Sequence, residues 1–116
     1  MKLLVVDDEH LVRWFLERTF SKGGFEVVTA SDLEEASEKL DAGEFDLVIV
    51  DLRMPGGSGI ELIEKAEALA RKPKIVVCSA FVTEELEEDF GRRGICILKK
   101  PFKLQELNDA LADCGD

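Results

Sequence analysis

The sequence predicts an α/β fold, a parallel β-sheet with helices on both faces. Two kinds of observation carry that expectation. Short apolar runs rich in β-branched residues recur, Leu3-Leu4-Val5-Val6, Leu47-Val48-Ile49-Val50 and Ile75-Val76-Val77-Cys78 among them. Runs of this kind read as strands buried on both faces. Segments with helical apolar spacing alternate with them, five strands against five helices, the pattern of a sheet covered on both sides. In addition, carboxylates stand where two of the runs end: Asp7 and Asp8 after the first, Asp51 after the third strand.

Each element has a local reason. After the first strand, a helix over 10–21 places Leu11, Val12, Phe15, Leu16, Thr19 and Phe20 on one side, and Gly23-Gly24 stops it. Trp14 lies beside that stripe and is expected to be partly exposed. A strand over 25–30 follows. Ser31 and Asp32 are N-cap candidates, with Glu34 and Glu35 in the first turn where the helix dipole favours anions. That helix runs to about residue 40, Gly43 ends it, and residues 45–50 form the third strand. Pro55-Gly56-Gly57 reads as a loop and Ser58 as the cap of a helix to about residue 70. Pro73 precedes the fourth strand, 74–78. Thr83 caps a short, acidic helix to about residue 90, and Gly91 and Gly94 flank a turn. A strand over 95–98 is broken by Pro101, and an amphipathic helix over 103–114 closes the chain.

A length of 116 residues fits one domain, 1–116, able to bury roughly two-thirds of its unfolded surface. No repeat, linker or low-complexity tract divides it. The formal charge of −10, from 25 acidic and 15 basic residues, disfavours contact with phosphate backbones, so no direct nucleic-acid binding is expected. No apolar run approaches the ~20 residues of a membrane span, and the N-terminus carries no signal-peptide pattern. Cys78, Cys96 and Cys114 are odd in number and lack metal-ligand spacing. The first two read as small core hydrophobes and the third as an exposed thiol, which together point to a reducing cytoplasm.

The chemistry gathers at the strand ends, because a charge there leaves the core and enters the crevice where open α/β sheets bind ligands. Asp7, Asp8 and Asp51 repel one another unless a cation sits among them. Mg²⁺, or Mn²⁺ in its place, is the hard ion that suits oxygen ligands. A carboxylate beside such an ion can act as a nucleophile toward phosphorus. The fourth strand ends at Ser79 and the fifth at Lys100, a hydroxyl and an ammonium suited to phosphoryl oxygens. Taken alone, Asp7 and Asp8 could equally serve as a helix cap and a first-turn anion. Glu9 could touch a metal-bound water or be a surface anion, and His10, the only histidine, reads as the exposed start of a helix.

The chain resembles the receiver domain of two-component response regulators. The matching pieces are Val5-Val6-Asp7-Asp8-Glu9, Asp51-Leu52-Arg53-Met54-Pro55-Gly56, Gly59, Ser79-Ala80 and Lys100-Pro101-Phe102, in that order from end to end. The resemblance implies a flavodoxin-like (βα)5 doubly wound sheet of strand order 2-1-3-4-5. It implies that Asp51 accepts the phosphoryl group and that Asp8 and Asp51 ligate the metal directly. Asp7 would act mainly through metal-bound water, with the backbone carbonyl of Arg53 completing the protein ligands. Ser79 would hydrogen-bond the phosphoryl oxygen and Lys100 pair with it, across a cis Lys100–Pro101 bond. The donor implied is a sensor histidine kinase or phosphotransfer protein. The domain would be a signalling switch, with only weak self-phosphorylation and autodephosphorylation. A homodimer through the fourth helix, fifth strand and fifth helix is a further expectation. With no module after Asp116, the chain reads as a stand-alone receiver or an excised N-terminal domain.

Two departures from the family pattern matter. Ile97 stands where many receivers carry a Tyr or Phe that swings inward on activation, and the chain has no Tyr at all. Arg53 and Phe81 stand two residues after Asp51 and two after Ser79, positions that in the family flank the path of the attacking water. The alternatives are a Mg²⁺-dependent aspartyl-phosphate phosphohydrolase and a phosphate-independent interaction domain. The first lacks the second Asp of an Asp-x-Asp pair, since Asp51-Leu52-Arg53 offers arginine there; the intact acidic set argues against the second.

Overall fold

A computed structural model describes residues 1–54 and 57–113. Pro55, Gly56 and Cys114, which the sequence reading assigned to a loop and to an exposed thiol, lie outside the described residues. Five strands form the main sheet: β1 (Lys2–Val6), β2 (Glu26–Ala30), β3 (Leu47–Asp51), β6 (Lys74–Ser79) and β7 (Cys96–Lys99). Their order is β2-β1-β3-β6-β7 and every pairing is parallel. Counted along this sheet alone, that is the expected 2-1-3-4-5. The helices are α1 (His10–Lys22), α2 (Leu33–Ala42), α3 (Gly59–Glu67), α4 (Glu84–Arg92) and α5 (Leu104–Asp113). Among the described residues no helix is long and apolar enough to cross a membrane.

The two-residue period of a strand divides each apolar run between two cores. Leu4, Val6, Val48, Val50, Ile75 and Val77 face one way, toward Ala36, Leu40, Leu62, Ile63 and Phe90 of α2, α3 and α4. Leu3, Val5, Ile49, Val76 and Cys78 face the other, toward Leu16 and Phe20 of α1 and Leu107 of α5. Residues on both faces are fully buried, which is why the runs lack polar alternation. The caps fall where the sequence puts them. Asp32 accepts from the Glu35 amide at 2.8 Å while the Glu35 carboxylate accepts from the Ser31 amide, also at 2.8 Å, a reciprocal cap. Ser58 accepts from Ile60 and Thr83 from Leu86.

Four expectations are corrected. Leu11 is 75% exposed rather than part of the buried stripe, because α1 turns its Leu16–Phe20 edge to the sheet. Trp14, 51% exposed, is placed as expected. Helix α3 stops at Glu67, where Ala68 and Leu69 close tighter i→i+3 bonds to Lys65 and Ala66. Gly57 is not loop: it pairs with Met54 in a two-stranded antiparallel ribbon, β4 (Arg53–Met54) with β5 (Gly57–Ser58). Cys78 is a free buried thiol, pushed up to about 12 by burial. Cys96 is buried too, but disulfide-bonded rather than a plain core thiol, so it no longer supports a reducing compartment.

Candidate metal and phosphoacceptor site

The carboxyl ends of β1, β3, β6 and β7 meet at one edge of the sheet. Register makes this unavoidable: Val6 lies beside Val50, Asp51 beside Cys78, and Ser79 beside Lys99. Each strand's next residue therefore emerges into a common space. Asp7 and Asp51 are 2% and 6% exposed, whereas Asp8 and Glu9 reach solvent. Ligand oxygens of these four residues all lie within 4.8 Å of one another.

Lys100 occupies the midst of this cluster. Its Nζ donates to Asp7 Oδ2 at 2.7 Å and Asp51 Oδ2 at 2.9 Å, and more weakly to Glu9 Oε1 at 3.3 Å. The other oxygens are held by backbone: Asp7 Oδ1 accepts from the Glu9 amide at 2.9 Å, and Asp51 Oδ1 from the Arg53 amide at 3.1 Å. Burial pushes the Asp7 carboxyl above the ordinary carboxylate range, against the hydrogen bonds from Lys100 and Glu9. For Lys100, burial alone would favour the neutral amine, but the bonds to Asp7 and Asp51 outweigh it and hold the ammonium charged. The Lys100–Pro101 bond is cis, as expected.

Ser79 is buried beside the cluster, and its hydroxyl is engaged locally: Oγ accepts from the Phe81 amide and donates to the Phe81 carbonyl, both at 3.2 Å. The Lys100 amide donates to the Ser79 carbonyl at 3.0 Å, tying the ends of β6 and β7 together. Arg53 and Phe81 stack on each other, the guanidinium carbon 4.1 Å from the ring centroid. Asp7, Asp8, Asp51, Arg53, Ser79 and Lys100 thus all lie at one edge, as the sequence predicted. Asp7 and Asp8 are not the α1 cap; Glu9 holds that position, without a side-chain cap bond.

The sequence leaves Glu9 open between touching a metal-bound water and being a surface anion; it shares Lys100, a contact spanning 91 residues that no local signal reveals. At Gly59 the constraint is space. A Cβ there would lie 2.3 Å from the Asp51 carbonyl oxygen, so only glycine lets α3 start against the end of β3.

The family model of the response regulator receiver domain matches residues 3–112. The chain belongs to this family. As a response regulator receiver, it is a phosphoryl-accepting switch of two-component signalling. Among curated relatives, it is 26% identical to sporulation initiation phosphotransferase F of Bacillus subtilis, over 95% of this chain and 90% of that protein. It is 34% identical to the sensory transduction protein LytR of Staphylococcus haemolyticus, over 96% of this chain but 44% of that one. It spans only 16% of the sensory/regulatory protein RpfC of Xanthomonas campestris, at 33% identity. Of solved structures, the Vibrio cholerae chemotaxis protein CheY4 superposes with a TM-score of 0.85 at 28% identity, covering 97% of both chains. TrrA of Thermotoga maritima, solved in complex with Mg²⁺ and BeF, gives 0.79 at 31% identity, again over 97% of both.

Proposed function

We propose that Asp51 is the phosphoacceptor, taking its phosphoryl group from a sensor histidine kinase or phosphotransfer protein in a Mg²⁺-dependent reaction. The observation that carries this reading is the buried Asp7–Asp51 pair bridged by Lys100. In the transfer, an Asp51 carboxylate oxygen attacks phosphorus. The phosphorus–nitrogen bond of the donor phosphohistidine breaks, and its electron pair returns to the imidazole. Lys100 then faces the new phosphoryl oxygens with the donors it now gives the carboxylates. Ser79, freed from the Phe81 backbone, supplies the hydroxyl on the neighbouring strand.

The donor set fits a hard divalent ion: four carboxylates within ligand distance of one another, oxygen donors only, and one ammonium to balance them. Asp8 and Asp51 would hold it directly with the backbone carbonyl of Arg53, and Asp7 through water. Bound there, it supplies positive charge that offsets the charge gathering on the transferred group. We assign α4, β7 and α5 as the face that changes on phosphorylation and through which two copies pair; Lys99 and Glu87, 2.9 Å apart, join α4 to β7 on it. A kinase or phosphotransfer partner of this kind is what supports a cytoplasmic location for the domain.

The test is incubation with acetyl phosphate, with and without Mg²⁺, followed by intact mass. A phosphate adduct is expected in the wild type with Mg²⁺ only. An adduct that persists in Asp51→Asn, or that forms equally well in EDTA, overturns the assignment.

A further inference from the structure

We propose that Arg13 is the positioning residue of the acidic loop, holding Asp8 and Glu9 in the arrangement that receives the metal. The proposal rests on the metal reading above. Three consecutive carboxylates, Asp7-Asp8-Glu9, precede α1 and repel one another. Glu9 is the N-cap of α1 and makes no side-chain cap bond. Among the described residues Asp8's carboxylate accepts no hydrogen bond, so the backbone on either side sets its place.

Arg13 fixes that backbone at both ends. Its Nη1 donates to the Asp7 carbonyl at 2.6 Å, a short charge-assisted bond reaching back six residues. Its own amide donates to the Glu9 carbonyl at 3.1 Å. The Glu9 amide closes the ring by donating to Asp7 Oδ1 at 2.9 Å. Asp8 is the residue enclosed. Lys100 binds the carboxylates themselves and so competes for the ligand oxygens. Arg13 binds a carbonyl and leaves those oxygens free, so it orders the loop without occupying the site.

Charge and position predict opposite outcomes. A guanidinium near a cation site repels the cation, so charge alone would make its removal tighten Mg²⁺ binding. Positioning makes removal weaken binding. The experiment is Mg²⁺ titration by calorimetry of wild type, Arg13→Met, which keeps the stem's packing, and Arg13→Lys, which keeps reach, charge and one donor. Arg13→Met is expected to raise the Mg²⁺ Kd about tenfold, as loss of groups that orient ligands does, and Arg13→Lys to restore most of it. Metal-free amide exchange at Glu9 is expected to accelerate in Arg13→Met. Binding by Arg13→Met as tight as wild type or tighter, or unchanged exchange at Glu9, overturns the proposal. Wild type that binds no Mg²⁺ overturns the metal reading and this proposal with it.

Discussion

At the scale of single residues, the site is a balance between buried anions and one buried cation. Removing Lys100 leaves Asp7 and Asp51 facing each other with no counter-charge. Breaking a buried ion pair from one side costs about 3–5 kcal/mol. Lys100→Met is therefore expected to lower metal-free stability by about 3 kcal/mol, read as the urea midpoint in EDTA, and Mg²⁺ to restore part of the loss. If Asp51 carries the phosphoryl group as proposed, the stack of Arg53 on Phe81 is expected to bear on how long that group survives. Hydrolysis needs water in line with the Asp51–phosphorus bond. A ring and a guanidinium in contact narrow that approach and offer no carboxylate or amide to orient water. Arg53→Asn and Phe81→Glu are each expected to speed dephosphorylation, measured as loss of the phosphorylated mass with time; rates that stay level or fall count against shielding. Most of this was legible in the sequence, because a charge at the end of a buried strand has one place to go. Glu9, Gly59 and Arg13 were not, because their contacts are made only once distant strands or a folded-back loop bring the partners together.

At the scale of elements, strands and caps were legible and close approaches were not. Asp32, Ser58 and Thr83 announce their helices, since a cap is a local bond. The β4–β5 ribbon, two residues on each side, is too short for any periodicity to show. The start of α3 against the end of β3 makes Gly59→Ala a sharp test. A methyl 2.3 Å from a carbonyl oxygen forces the backbone apart, and a loss of about 1–3 kcal/mol is expected in denaturant unfolding. Helix α4 is held differently. Phe90 is its buried residue, and beyond the helix Arg93 reaches both Glu67 of α3 and Asp89 of α4. The hydrogen bond from Arg93 holds the Glu67 carboxyl below its ordinary value of 4.5. A depressed carboxyl adds stability above its unfolded value and loses it as pH falls through the folded one. Glu67→Gln is thus expected to lower stability at neutral pH by under about 1 kcal/mol, the scale of a partly exposed pair. The variant is also expected to show a shallower loss below the ordinary value, checked by unfolding midpoints across that range.

For the whole molecule, alternation of strands and helices predicted a covered parallel sheet, but alternation alone does not order the strands. That order came from the family resemblance, and it decides which ends converge. Placing β1 and β3 side by side joins the acidic pair to Asp51, and placing β7 beyond β6 brings Lys100 across. Ile97 is half-buried on β7, packed against the core shared with α2, α3 and α4. No aromatic ring stands at that position to swing, so the signal is expected to travel through the Ser79 loop or the acidic helix α4. Adding beryllofluoride with Mg²⁺ is expected to shift backbone amides over α4, β7 and α5. Changes confined to α1 and α2 would contradict that route.

Trp14 has a practical consequence. The chain has one Trp and no Tyr, so its ultraviolet emission comes from a single indole. That indole is half-exposed on α1, with the Arg18 guanidinium 5.0 Å from its ring centre. The protein therefore carries an optical probe on one side only. Docking of a partner over α1 registers as a spectral change, while rearrangement across the sheet leaves the emission dark to it.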